Sequence, residues 1–85
     1  MIHYLKIERN YLERLVSGEK KAEIRINDRD YQLGDILKFL NPADVGVGHE
    51  DFYLYFRITH IHSGLGLERY YVALSVERCK EEERQ

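Results

Sequence analysis

Apolar and polar positions alternate in short runs along most of the chain, and their period changes where the local structure should change. Ile2 and Tyr4 alternate with His3 and Leu5 as far as Ile7, which predicts a first strand with apolar character on both faces. Tyr11, Leu12, Leu15 and Val16 then recur at helical spacing, with Asn10 as N-cap, Glu13 as its reciprocal acceptor in a capping box and Gly18 as the stop. A period of two returns over Lys21 to Ile26. If that strand starts at Lys21, alternation puts Lys21, Glu23 and Arg25 on one face and Lys20, Ala22, Ile24 and Ile26 on the other, the expected core side. An ammonium on a core row is costly, so Lys20 is expected in the turn after Gly18, able to swing to the charged face.

A polar turn, Asn27-Asp28-Arg29-Asp30, leads to Tyr31-Gln32-Leu33 and a second turn at Gly34-Asp35, before a strand over Ile36 to Leu40. Pro42, Gly46 and Gly48 make Asn41 to Asp51 a loop. Phe52 to His62 is the longest predicted strand, with Phe52, Leu54, Phe56 and Ile58 on one side and Tyr53, Tyr55, Arg57, Thr59 and Ile61 on the other. After the turn at Ser63 to Leu67, Tyr70 to Val76 forms a closing strand, and Glu77 to Gln85 reads as a charged tail, frayed or turning once as a surface helix. About five short strands and one helix predict a mostly β, α+β domain over residues 1–76, a small curved sheet closing into a barrel of five to six strands with the helix across one end.

Composition narrows this picture. A chain of 85 residues holds one core and one site. The net charge of -2 gives no global basic field, so a nucleic-acid footprint has to be local. Cys79 is the single cysteine and cannot form an intramolecular disulfide, which fits a reducing compartment. No apolar run approaches the ~20 residues of a membrane span, and Met1-Ile2-His3-Tyr4 begins like a strand and unlike a signal peptide, so a soluble cytoplasmic protein is expected.

The run Gly18-x-Lys20-x-x-Glu23-x-Arg25 resembles the GxKxxExR signature of ASCH domains, the activating signal cointegrator homology group of the PUA-like superfamily. Ile2 to Ile7, Asn27-Asp28-Arg29-Asp30-Tyr31, Gln32-Leu33-Gly34-Asp35, Ile58-Thr59 and Tyr71-Val72-Ala73-Leu74-Ser75 extend the likeness to a small bacterial and phage subfamily of unknown function. The resemblance implies a PUA-like β-barrel with a cleft between barrel and helix that binds RNA or a modified nucleoside. One ASCH branch is an amidohydrolase on acetylated cytidine that uses a lysine, a threonine and a distal glutamate. By that pattern the lysine falls on Lys20, the threonine position on Glu23, and the glutamate has no aligned position.

The candidate ligand-binding set is therefore Lys20, Lys21, Glu23, Arg25 and Arg29: cations to hold a phosphate or carbonyl oxygen, and a carboxylate to accept from a base edge or sugar hydroxyl. The plain alternative for these charges is an exposed ion-pair ladder worth about 0–1 kcal/mol. Tyr53, Tyr55 and Arg57 form a second candidate set, stacking rings beside a cation, although such rings more often pack as rim positions. His60 and His62 would make half of a zinc site without a third ligand at suitable spacing, and Gly46-Val47-Gly48 and Gly64-Leu65-Gly66 lack the full phosphate-loop patterns, so neither a metal nor a cofactor is expected. The expected function is an RNA- or nucleotide-binding module, monomeric or weakly dimeric and possessing no catalytic residue. The alternatives are a small hydrolase of a modified nucleoside, with Lys20 and Glu23 in its site, and a protein-interaction module using the tyrosine face.

Overall fold

The computed structural model describes residues 1–40 and 53–80. Its elements are β1 (Ile2–Leu5), α1 (Arg9–Ser17), β2 (Ala22–Ile26), β3 (Ile36–Leu40), β4 (Tyr53–Ser63) and β5 (Tyr71–Cys79). The strands form one five-stranded sheet in the order β1-β3-β4-β5-β2, curled into a half-barrel with β1 and β2 as its edges. The expectations for Asn41 to Phe52, including the loop with Gly46 and Gly48, and for the tail from Glu81 to Gln85 lie outside the described residues.

Every neighbouring pair is antiparallel except β1 and β3, which run parallel with Ile2 opposite Ile36 and Leu5 opposite Phe39. A parallel pair needs a long crossover, and α1, β2 and the turn after it supply one. The β4–β5 ladder slips between Ile58 and His60, a bulge of the kind that bends a strand.

Leu12 and Leu15 of α1 are buried against the core-facing side chains of the sheet, chiefly Leu37, Phe39, Leu54, Phe56, Ile58, Val72 and Leu74. Helix spacing predicted that contact. The helix begins earlier than predicted: Tyr11 and Leu12 both donate backbone N–H groups to the Glu8 carbonyl, which makes Glu8 the N-cap. Asn10 lies inside the first turn, its Oδ1 accepting from the Tyr11 N–H, and no side chain among the described residues caps the helix. Tyr11 departs from the predicted stripe and stands 43% exposed.

Two further expectations are corrected. Strand β5 continues past Val76 through Cys79, where Glu77, Arg78 and Cys79 pair with Arg57, Phe56 and Tyr55. Cys79 is buried beside Ile36 and Tyr55 in a small second cluster, so the tail read from its charges is strand up to that residue. The faces of β2 are also the reverse of those expected. Glu23 is buried and Arg25 half-buried, while Ile24 and Ile26 are 58% and 51% exposed. The cause is the partner strand. Glu23 and Arg25 stand opposite Leu74 and Val72, and directly opposed residues share a face, so the core side of β5 draws the charged residues inward.

Candidate site at the seam of the half-barrel

The turn of Gly18, at φ 87, releases the chain from α1, and the Lys20 N–H closes it on the Arg14 carbonyl at 3.0 Å. This geometry sets Lys20 beside the first residues of β2, where its Nζ donates to Glu23 Oε1 at 2.8 Å and to the Ala22 carbonyl. Arg25 Nε donates to Glu23 Oε2 at 3.0 Å, and its Nη2 donates to the Lys6 carbonyl beyond the end of β1. Glu23 thus holds one cation on each carboxylate oxygen. A buried lone carboxylate would be very costly, and this pairing is what lets Glu23 occupy the core side of the strand. The Arg25 guanidinium lies 5.9 Å from the centroid of the Phe39 ring, which walls it from the core.

Glu23 and Arg25 border a cavity of about 410 Å³ at the seam between edge strand β2 and the connection that follows β1. One wall is the β1–α1 connection, Lys6, Ile7 and Glu8, with Tyr11 of α1; the other is β2 from Glu23 to Ile26. Asp28 and Arg29 reach it from the turn after β2, and Tyr71 from β5. The volume falls in the range of small-molecule sites, ~300–1,000 Å³. Four cations and three carboxylates serve this region when Lys20 is included, and Lys20 and Arg25 are already committed to Glu23.

Beneath the charged cluster, Tyr31 is 5% exposed and its hydroxyl is buried with no hydrogen-bond partner among the described residues. Burial pushes this phenol above its ordinary range; Arg25 and Arg29 oppose the shift, and Asp28 and Glu23 add to it. The Tyr31 ring meets His3 edge-on at 4.8 Å. Buried His3 in turn bonds Asp35 Oδ2 at 2.8 Å, and that carboxylate also accepts the Gln32 N–H at 3.0 Å and the Met1 amino group at 3.1 Å. Burial works against the Asp35 charge, but the bonds from His3, Gln32 and Met1 prevail and hold its pKa below the usual value.

Of the predicted residues, the fold brings Lys20, Glu23, Arg25 and Arg29 together, and Lys21 stays exposed beside them with its carbonyl in the β5 ladder. Tyr53, Tyr55 and Arg57 do not join them. Their partners in the sheet place them on the other face, where Lys38 Nζ sits 4.3 Å from the Tyr53 centroid, 5.4 Å from Tyr55 and 4.4 Å from Tyr4, and donates to the Tyr4 hydroxyl. That hydroxyl bond raises the Lys38 pKa and outweighs its slight desolvation. Tyr55 is buried there, and Arg57 pairs with Glu77 at 3.2 Å. His62 bonds the Leu65 carbonyl at 3.2 Å.

Pattern reading missed Tyr11, Tyr71, Lys6 and Glu8 as lining residues. Tyr11 carried a usable signal, because it sits one helical turn from Leu15 yet beside Leu12, at the border of the apolar stripe where a ring can face outward. Lys6 and Glu8 had none, since only the curl of the sheet carries the end of β1 to β2.

The fold is similar to that of a hypothetical protein, PH0355, whose crystal structure superposes with a TM-score of 0.63 at 19% identity over 93% of this chain and 100% of that one. No curated protein matches the chain. The model of a domain of unknown function, DUF3850, matches residues 2–76 and so covers the first four strands, the helix and most of β5: the chain belongs to the DUF3850 family.

Proposed function

We propose that this protein binds a nucleotide, or the end of a short single-stranded RNA, in the seam cavity. The observation that carries the reading is the buried Glu23 carboxylate clamped between Lys20 and Arg25 at a cavity with Tyr11 and Tyr71 in its walls. The clamp presents fixed polar groups in a partly dehydrated setting, the rings offer stacking surfaces, and Arg29 and Lys6 supply cations for a phosphate. The ASCH-like motif supports the same reading, since Gly18, Lys20, Glu23 and Arg25 are the residues that build the clamp. Lys20 serves it as a donor to two acceptors, which suits binding better than nucleophilic attack.

Calorimetric titration at low salt with the four nucleoside monophosphates and with short oligoribonucleotides tests this. Binding is expected to weaken about tenfold in Arg29→Ala, and by a similar factor in Arg25→Ala, as for loss of a charge-assisted hydrogen bond. No heat with any of these ligands would overturn the reading. Turnover of acetylcytidine that disappears in Lys20→Ala would replace it with the hydrolase.

A further inference from the structure

Strand β2 pairs with β5 through alternate residues only. The Val76 N–H donates to Lys21 and the Asn27 N–H donates to Tyr70, and this register assigns the main-chain groups of Glu23 and Arg25 to the β5 side. Those of Ala22, Ile24 and Ile26 therefore point away from β5, along the open edge of the sheet. Two of these carbonyls are occupied: Ala22 accepts from Lys20 Nζ, and Ile26 accepts from the Asp28 N–H at 2.8 Å. Ile24 alone keeps both its N–H and its C=O without a partner among the described residues, and it lies in the wall of the seam cavity.

On the basis of the nucleotide-binding reading above, we infer that the Ile24 main chain reads the base, taking the Watson–Crick edge of a nucleobase by one donated and one accepted hydrogen bond. An adjacent donor and acceptor on a flat ring is the chemistry that an unpaired strand residue complements. The seam favours a ring over an added peptide strand, because Arg25 crosses from β2 to the Lys6 carbonyl and a strand laid along the edge would have to displace it. Tyr11, whose ring centroid lies 5.6 Å from Lys20 Nζ, and Tyr71 line the same cavity, and the exposed Ile24 and Ile26 side chains add apolar surface there.

The test uses the full chain and two independent changes. Uridine monophosphate is compared with its N3-methyl form, and adenosine monophosphate with its N1-methyl form, so that the base edge is blocked while sugar and phosphate stay the same. In parallel, Ile24→Pro removes an N–H that the β5 ladder does not use, a substitution that edge strands tolerate. Methylation is expected to weaken binding about tenfold in the natural protein, and Ile24→Pro should weaken the unmethylated ligands by a similar factor. Equal affinity for methylated and unmethylated nucleotides overturns the base-reading inference while leaving nucleotide binding in place; no binding of any nucleotide removes both. If Ile24→Pro fails to fold, as circular dichroism would show, the methylated pairs decide alone.

Discussion

Tyr31 and Asp35 are neighbours in sequence with opposite solutions to burial. Asp35 takes hydrogen bonds from His3, Gln32 and the Met1 amino group, whereas the Tyr31 hydroxyl has no partner among the described residues. An unsatisfied buried hydroxyl costs about 1–3 kcal/mol, so Tyr31→Phe should leave stability unchanged or raise it by up to about 1 kcal/mol in urea unfolding. A loss larger than that would mean the hydroxyl has a partner. For Asp35 the sign follows from linkage. Its folded pKa lies below the ordinary 3.8, so its contribution is complete above that value and disappears as pH falls through the lower folded value. Thermal melts between pH 6 and 2 should show a fall in stability below about pH 4, and the fall should be shallower in Asp35→Asn. An equal slope in the variant would assign the acid sensitivity to other carboxylates.

At the scale of elements, the hinge between α1 and β2 decides where Lys20 goes. Gly18 adopts φ 87, and a Cβ built there would meet no atom within 4 Å, so the cost of a side chain is conformational only. Gly18→Ala should therefore destabilise the fold by about 1–2 kcal/mol without steric damage, measurable as a lower urea midpoint at unchanged m. Any shift of the hinge moves Lys20 off Glu23, so the same variant is a sensitive probe of the clamp. The length and period of edge strand β2 were readable, but the choice between its two faces belongs to its neighbour, because a one-residue change of register exchanges them.

For the molecule as a whole, the net charge of -2 sets a limit on the proposed binding of a polyanion. On the proposed reading, attraction of a polyanion falls to the seam cations, and two of these, Lys20 and Arg25, share the single negative charge of Glu23. The titration proposed above should accordingly show a shallow salt dependence for RNA, as for about two or three phosphate contacts. A steep slope would place the RNA along a different surface. Among the described residues no helix is long and apolar enough to cross a membrane.

Legible in the chain alone were the kinds and approximate limits of the elements, the stop at Gly18, the burial of Leu12, Leu15, Leu54, Phe56 and Ile58, and the closeness of Lys20, Glu23 and Arg25, because each of these depends on residues a few positions apart. Local periodicity carries such information directly. Which face of β2 turns inward was settled by the packing of the sheet, since Leu74 and Val72 outweigh the local preference of Ile24 and Ile26, and the same packing showed that Glu77 to Cys79 complete β5 against β4. The seam itself was equally hidden. It exists because the curl of the sheet brings Lys6 of the first connection to Arg25 of the last-placed edge strand, 19 residues later in the chain, and no pattern along the sequence encodes a distance between two edges.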